Sequence, residues 1–434
     1  MKLGRKFYVG LLLFSLVGQV AWVVENMYFN VFLYQMFHAT AAQISTMVAA
    51  SAVSATLTTV FIGALSDRIG KRKLFITAGY ILWGVSILLF ALLRMDVLER
   101  AVGGTALAST LGVTLVIVFD CVMTFFGSSA NDACFNAWVT DCTDDGNRGR
   151  VEGLNAMMPL LAILVVFGGA MGQDTQNPDH WSLFFLIIGA AVLIAGVLGI
   201  FLIDEPKKDM IVTEGYWGNI LYGFRPRIIR DNTPLYLTLA AYCVFCISIQ
   251  IFMPYLILYY TEALRMENYV LIMAPAIVIA AVLTALYGRA FDRFGYTKTL
   301  VPALLCLAGG YAVLYLFRSS ALVFVGSLLM MSGYLCGCAV FGARIRACTP
   351  VGMAGRFQGL RIFGQVLIPG VIGPAIGAWI LKGAELIQNA DGTTSFIPNA
   401  NIFLGAAIAL VPIVPILLLT KPANTTEAKD GYTV

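Results

Sequence analysis

The chain has 434 residues, of which 59% are hydrophobic and only 12% charged, with a formal net charge of +4. A water-soluble chain carries about twice that share of charge, which argues against a soluble globular enzyme, and the small positive balance is too weak for nucleic-acid binding. The apolar residues instead come in blocks of roughly 20 to 28, long enough to cross a hydrocarbon core of about 30 Å at 1.5 Å per residue.

Twelve spans are expected: 7–35, 41–65, 74–93, 110–138, 151–172 and 182–203, then 234–260, 268–288, 299–317, 321–343, 357–381 and 402–420. The longest break, 204–233, is charged and divides the chain into an N-terminal six-helix bundle (1–203), a central loop (204–233), a C-terminal six-helix bundle (234–420) and a tail (421–434). With the N-terminus inside, only Arg94, Arg100, Arg265, Arg318 and Lys382 fall in external loops, and the other 23 of the 28 Lys and Arg lie inside. That bias places both termini in the cytoplasm and the protein in a plasma membrane, read as a bacterial inner membrane. The basic start and long apolar run without a small-residue cleavage site read as an uncleaved first helix.

Span 1 carries Ser15, Gln19, Trp22, Asn26 and Asn30, which fall within roughly 80° of one another at 100° per residue, with Glu25 at the edge. An amide-rich stripe with a Trp suits a sugar, whose hydroxyls need donors and acceptors and whose C–H face stacks on aromatic rings. Interhelical hydrogen bonding is the plainer alternative.

Between spans 2 and 3 stands Gly63-Ala64-Leu65-Ser66-Asp67-Arg68-Ile69-Gly70-Lys71-Arg72-Lys73. The pattern G-x-x-x-D-R-x-G-x-x-K returns 225 positions later with Gly288, Asp292, Arg293, Gly295 and Lys298, where Tyr296 and Thr297 replace basic residues. A loop repeated at matching points of two hydrophobic halves indicates a duplicated membrane unit. Gly70 is expected to take a left-handed turn, and Gly63 to let span 2 approach a neighbour closely. Asp67 could accept hydrogen bonds from the free N–H groups at a neighbouring helix N-terminus. Arg68, Lys71 and Arg72 face a 4–5 loop bearing Asp141, Asp144, Asp145 and Glu152, and such pairs can close the inner face in one state and part in another. These residues, with Asp292 and Arg293, are the expected gate.

Span 4 contains Asp120 and Asp132. Ionisable groups at bilayer depth are costly and read first as functional, so Glu25, Asp120 and Asp132 are the candidates for cation coupling. Asp132, about 12 Å inside the boundary, is the preferred one; helix–helix hydrogen bonding is its alternative. Both His38 and His180 fall in external loops, so histidine is not expected to couple. Asn131 and Phe135 on span 4, Gln250 and Tyr255 on span 7, and Gln365 on span 11 join Trp22, Asn26 and Asn30 as expected substrate-binding residues. Asn155, Gln250 and Gln365 each stand four residues before a proline, which frees a carbonyl and kinks the helix. Cys243 and Cys246 form a C-x-x-C inside a span and read as small core residues. Arg361, one turn into span 11, is expected to reach back to the surface.

A second pair of motifs, Gly149-Arg150-Val151-Glu152-Gly153-Leu154 and Gly355-Arg356-Phe357-Gln358-Gly359-Leu360, also relates span n to span n + 6 in one orientation. The whole arrangement resembles the major facilitator superfamily, whose loop between helices 2 and 3 reads G-x-L-x-D-R-x-G-[RK]-[RK]. The resemblance implies two pseudo-symmetric bundles with helices 1, 4, 7 and 10 around a central cavity. The stretch Asp132-Ala133-Cys134-Phe135-Asn136-Ala137-Trp138 looks like helix 4 of the glycoside–pentoside–hexuronide:cation symporters, the melibiose-symporter-like branch, where an Asp followed by Phe belongs to the cation site. Those symporters carry further Asp residues in helix 2, whereas Ser51 to Gly63 has none here, which tilts the reading from sodium to protons.

The expected protein is thus no enzyme. It is a monomeric secondary transporter that needs no cofactor beyond H+ or Na+ as coupling ion and carries a small molecule, a sugar or glycoside, by symport. The competing reading is a proton-driven exporter of amphipathic drugs or lipids. Gly370-Val371-Ile372-Gly373-Pro374 resembles the proline–glycine motif of such exporters but sits in the wrong half.

Overall fold

The computed structural model describes residues 3–144, 146–170, 174–205, 222–266, 268–350, 354–389 and 392–419, with backbone alone at 148, 170, 289, 292, 354–356 and 358. The tail from 420 onward, including the Asn424 sequon, and most of the central loop lie outside the described residues. So does Asp145 of the 4–5 loop.

Twelve helices are long and apolar enough to cross a membrane. In chain order they are α1 (Arg5–Phe37), α2 (Ala41–Ile69), α3 (Arg72–Phe90), α4 (Thr105–Cys142), α5 (Gly149–Gly169) and α6 (Pro178–Leu202). The second half comprises α7 (Thr233–Ala263), α8 (Val270–Gly288), α9 (Tyr296–Leu316), α10 (Ser320–Cys348), α11 (Gly359–Gly383) and α12 (Asn401–Leu419). Their packing repeats with the sequence. Helix α1 packs on α5 and α6, α2 on α4, and α3 on α4 and α6, while α7 packs on α11 and α12, α8 on α10, and α9 on α10 and α12. Between the halves, α2 meets α11 and α5 meets α8, contacts that the n to n + 6 relation interchanges. Pseudo-twofold symmetry between the halves is therefore present in the packing itself.

Outward faces of the spanning helices carry Leu, Val, Ile and Phe, such as Leu183, Ile187 and Ile194 on α6. Side chains this apolar gain nothing from water and fit hydrocarbon. Aromatic residues fill the interior, for example Phe29, Phe32, Phe90, Trp181 and Phe185, whose rings meet edge-on or tilted at 4.5–6.5 Å.

Some structure falls outside the expected pattern. A short helix, Met95–Val102, lies between α3 and α4. Two strands, β1 (Leu386–Gln388) and β2 (Thr394–Phe396), form an antiparallel hairpin between α11 and α12, so the chain is nearly rather than wholly helical. Gly392, at φ +83°, lies within the turn that joins them. The end of the expected central loop is also folded. Pro226–Asp231 is helical, and Tyr222 and Phe224 rest against Phe357 and Phe363 at the start of the eleventh span.

Several spanning helices are interrupted by wider or tighter turns. Wide turns occupy Val24–Tyr28 in α1, Ser128–Phe135 in α4, Tyr259–Ala263 in α7 and Phe363–Leu367 in α11. A tight turn occupies Met253–Tyr255 in α7. Of the three amide–proline pairs, the one at Gln250 meets this tight turn and the one at Gln365 meets a wide one, whereas Pro159 sits within an unbroken helix. Wide turns of this kind gather at functional sites.

Candidate functional site

The wide turn in α1 brings Glu25 inward, where it is 8% exposed. Ser51 of α2 and Thr124 of α4 both donate to Glu25 Oε1, at 2.6 and 2.9 Å. Asp120, one helical turn before Thr124, is 1% exposed, and its charge and that of Glu25 act on each other. The charge of Asp132 also acts on Glu25.

Asp132 differs from the other two in being partly exposed. Its Oδ2 accepts from Ser128 at 3.1 Å, and its backbone carbonyl accepts from Asn136 at 3.2 Å. Thr140 in turn donates to the Asn136 carbonyl, and both Asn136 and Thr140 are exposed. Residues 132, 136 and 140 follow one helical face. An Asp, an Asn and a Thr in that row form a polar stripe from Asp132 to the end of α4 that carries Asp141. Sequence reasoning missed Asn136 and Thr140, although their i + 4 spacing from Asp132 was available.

The expected substrate residues divide into two groups. Trp22 is partly exposed, stacks obliquely on Trp83 at 5.0 Å, and donates from its indole to Asn131 at 3.3 Å. Asn26 is exposed and donates to the Trp22 carbonyl at 2.7 Å. Gln250 and Gln365 are partly exposed, Gln250 lying against Gly373.

The others are in the packing, not on an accessible surface. Asn131, 3% exposed, donates to Tyr80 at 2.6 Å, and Tyr80 passes a bond to the Phe14 carbonyl at 2.7 Å. Gly18 is required at this crossing, because a Cβ there would lie 2.3 Å from the Asn131 amide. Phe135 is 1% exposed and stacks on Phe14 and Trp138. Tyr255 is fully buried, donating to the carbonyls of Ala41 and Pro374. Asn30 is 1% exposed and donates to the Asn26 carbonyl. Asn131, Phe135 and Tyr255 bond to or stack on other helices in this conformation, whereas the Asn30 amide nitrogen bonds within its own helix and its buried Oδ1 has no hydrogen-bond partner. Within the stripe on α1, Ser15 donates to Asn155 of α5, again an interhelical bond.

At the basic end, Gly70 adopts φ +71° and ψ 15°, the left-handed turn expected of it. Among the described residues, Asp67 has its ion pair within the first bundle. It pairs with Arg72 of its own loop, and Arg72 also bonds Ser66 and reaches Asp141 at 3.3 Å. The guanidinium is mostly buried, 11% exposed, and so fastens the 2–3 loop to the end of α4. Arg68 and Lys71 are exposed. Gly63 is not needed for close approach, since a Cβ there would meet Ala133 at an ordinary 3.8 Å. Arg293 is exposed with its guanidinium over the Phe294 ring, and the Asp292 side chain lies outside the described residues. Arg361 is partly buried, and its Nε is without a hydrogen-bond partner.

The halves are joined by side-chain bonds at the opposite end. Tyr28 and Tyr269 share a hydrogen bond of 3.1 Å, Gln35 donates to Glu262 at 2.7 Å, and Tyr34 donates to the Phe396 carbonyl at 2.7 Å. His38, in a left-handed turn at φ +52°, lies 3.2 Å from Asn389 and 3.4 Å from Ser395. The β1–β2 hairpin thus covers the turn between α1 and α2. This end is closed, and the polar stripe from Asp132 runs toward the other.

A protein-family comparison matches residues 10–374 to the model described as the Major Facilitator Superfamily. The chain belongs to that superfamily. It is accordingly a transporter and a multi-pass membrane protein. No curated protein sequence matches this facilitator. Among solved structures it is similar to a mutant of the nucleoside transporter NupG, with 13% identity, 96% of this chain and 100% of that chain covered, and a TM-score of 0.70. It is also similar to a D-xylose-proton symporter, with 12% identity, 94% and 97% coverage, and a TM-score of 0.67. A third is a bacterial homologue of the human lysosomal transporter Spinster in an inward-facing, unoccupied conformation, with 14% identity, 96% coverage of each chain and a TM-score of 0.67. At these identities the likeness establishes the shared fold.

Proposed function

We propose that this facilitator is a secondary active symporter that carries a sugar or glycoside together with a proton across a plasma membrane, the basic end and both termini facing the cytoplasm. The observation that carries the reading is the placement of Asp132. It is a partly exposed carboxyl in a polar row that runs to one end of the molecule, its charge acting on Glu25, and it lies beside Trp22. A carboxyl sheltered in one state and wetted in the other can carry a proton between two sides. Each inward proton supplies about 2.3 kcal/mol per 100 mV, enough to concentrate a neutral solute.

The substrate class rests on Trp22, Asn26, Gln250 and Gln365, an aromatic face with amides that can both donate and accept. The D-xylose-proton symporter and the nucleoside transporter among its structural neighbours support the same class, because nucleosides are N-glycosides. The residues favour no exporter.

The test is uptake into proteoliposomes under an imposed pH gradient, with a panel containing a pentose, a methyl glucoside, a disaccharide and a nucleoside. One of these should be concentrated by the wild type. Asp132→Asn should lose concentrative uptake by about 100-fold or more while exchange of external for internal substrate continues, as expected when a general proton carrier is removed. Undiminished concentrative uptake by Asp132→Asn would falsify the coupling role. Accumulation of a hydrophobic dye in inverted vesicles, with no uptake from the panel, would favour the exporter.

A further inference from the structure

A buried polar atom without a partner is costly, and folded proteins supply nearly all such atoms with one. At the basic end of the second half, two of these atoms belong to neighbouring side chains. The hydroxyl of Tyr296, at the start of α9, has no hydrogen-bond partner, and the residue is 8% exposed. Arg344 Nε, near the end of α10, is likewise buried and without a partner. The guanidinium carbon of Arg344 lies 5.3 Å from the centre of the Tyr296 ring. Phe341, one turn before Arg344, meets the same ring at 6.2 Å. One face of α10 and the start of α9 therefore fix both donors.

The pseudo-symmetry of the halves shows what this place lacks. In the first half the end of α4 carries Asp141, which Arg72 reaches at 3.3 Å. Asp141 stands eight residues before Gly149, and Ala347 stands eight residues before the matching Gly355. The end of α10 thus keeps a guanidinium and has an alanine where the first half has its acid. Among the described residues, no carboxylate pairs with Arg344, and none acts on the Tyr296 phenol.

A guanidinium offers five N–H donors and a phenol one O–H, so one oxyanion at the rim of the ring can accept from both. A phosphate suits the planar fork of an arginine especially well. Phe294, two residues before Tyr296, and Val301 and Leu305 on α9 are exposed apolar side chains. The site consequently stands at the border of the hydrocarbon, where lipid phosphates are the abundant oxyanions. We propose that Tyr296 and Arg344 bind a phosphate-class oxyanion between α9 and α10, a ligand that fastens the second half as Asp141 fastens the first. This site is separate from Asp132 and does not depend on the substrate or the coupling ion.

The experiment is thermal unfolding of the delipidated full-length protein in detergent at neutral pH, with phosphatidylglycerol, sodium phosphate or sodium chloride at matched ionic strength. At least one phosphate source should raise the midpoint saturably by a few degrees over chloride, as expected for a ligand of the folded state. A rise with the lipid alone identifies a headgroup, and a rise with inorganic phosphate identifies a soluble ion. Tyr296→Phe, which removes only the hydroxyl, should move half-saturation to about tenfold higher ligand, a loss of about 1.4 kcal/mol. Arg344→Lys, which keeps the charge and loses the fork, should do the same, and Arg344→Met should abolish the rise. Arg227→Ala removes a cation whose side chain is 92% exposed and should respond like the wild type. Equal midpoints in all three media would overturn the proposal. So would an undiminished response in Arg344→Met protein that elutes as the wild type does. A response lost equally in Arg227→Ala would mark a diffuse effect of charge and overturn it too.

Discussion

The two copies of the repeated loop have the same place in the fold but are held by different forces. In the first, Arg72 at the start of α3 pairs with Asp67 and reaches Asp141 at the end of α4. In the second, the start of α9 is Tyr296, 8% exposed, and the cation comes from the other partner: Arg344 near the end of α10 lies over the Tyr296 ring at 5.3 Å. An ion-pair network in one half corresponds to a cation–π contact in the other. Their glycines differ as well. Gly70 has φ +71° and ψ 15°, a conformation that Asn or Asp also visits. Gly295 has φ +78° and ψ 179°, a region essentially reserved for glycine. Among the described residues, the first loop is thus held by its charges and the second by its backbone and an aromatic contact. Charge pairs can part and re-form during a transport cycle, so the first loop is the better placed to act as a gate.

The comparison is broken most directly at Arg72. Arg72→Ala unpairs Asp67 and Asp141 together, and because Asp67 is exposed and Asp141 partly so, the loss is about 1.5–3 kcal/mol. Transport should fall by about 10- to 100-fold in an initial-rate assay, with ligand binding retained. If the rate stays near that of the wild type, the first loop is no gate. The backbone contrast is tested by Gly295→Ala and Gly70→Ala. The first should lower stability by about 1–3 kcal/mol and the second by about 1 kcal/mol, read as shifts in thermal midpoint. A larger effect at Gly70 would reverse the assignment. The smallest change is expected from Arg344→Met, which keeps the aliphatic packing and removes the cation–π contact, about 0.5–2 kcal/mol. Its transport rate should change less than that of Arg72→Ala.

Much of this was legible in the sequence. The twelve spans, the repeat and the turn at Gly70 follow from apolar length, spacing and glycine chemistry. The three carboxyls could be named because an acid inside an apolar run stands out. Their neighbours could not be placed as well, because the stripe on α1 was drawn with an unbroken 100° per residue and no face was drawn for α4. The wide turns at Val24–Tyr28 and Ser128–Phe135 change that phase, since each wide turn inserts about one residue and rotates the remainder of the helix by about 100°. Asn131 and Phe135 consequently turn into the packing, while Asp132 remains partly open and Asn136 and Thr140 continue its polar row. The hairpin went unseen because strands of three residues in a loop leave almost no alternating pattern.

The closed end of the molecule has a further consequence. Apart from Gln35 on Glu262 and the contacts of His38, the bonds that join the halves there among the described residues are between neutral groups, tyrosine hydroxyls and main-chain carbonyls. The basic end depends instead on carboxylate–guanidinium pairs, of which Asp67 is exposed. Mobile ions weaken exposed charge pairs within a Debye length of about 8 Å at physiological ionic strength and leave neutral bonds almost untouched. Added salt therefore acts on the fastening of the 2–3 loop to the end of α4 and spares the bonds between the halves at the opposite end.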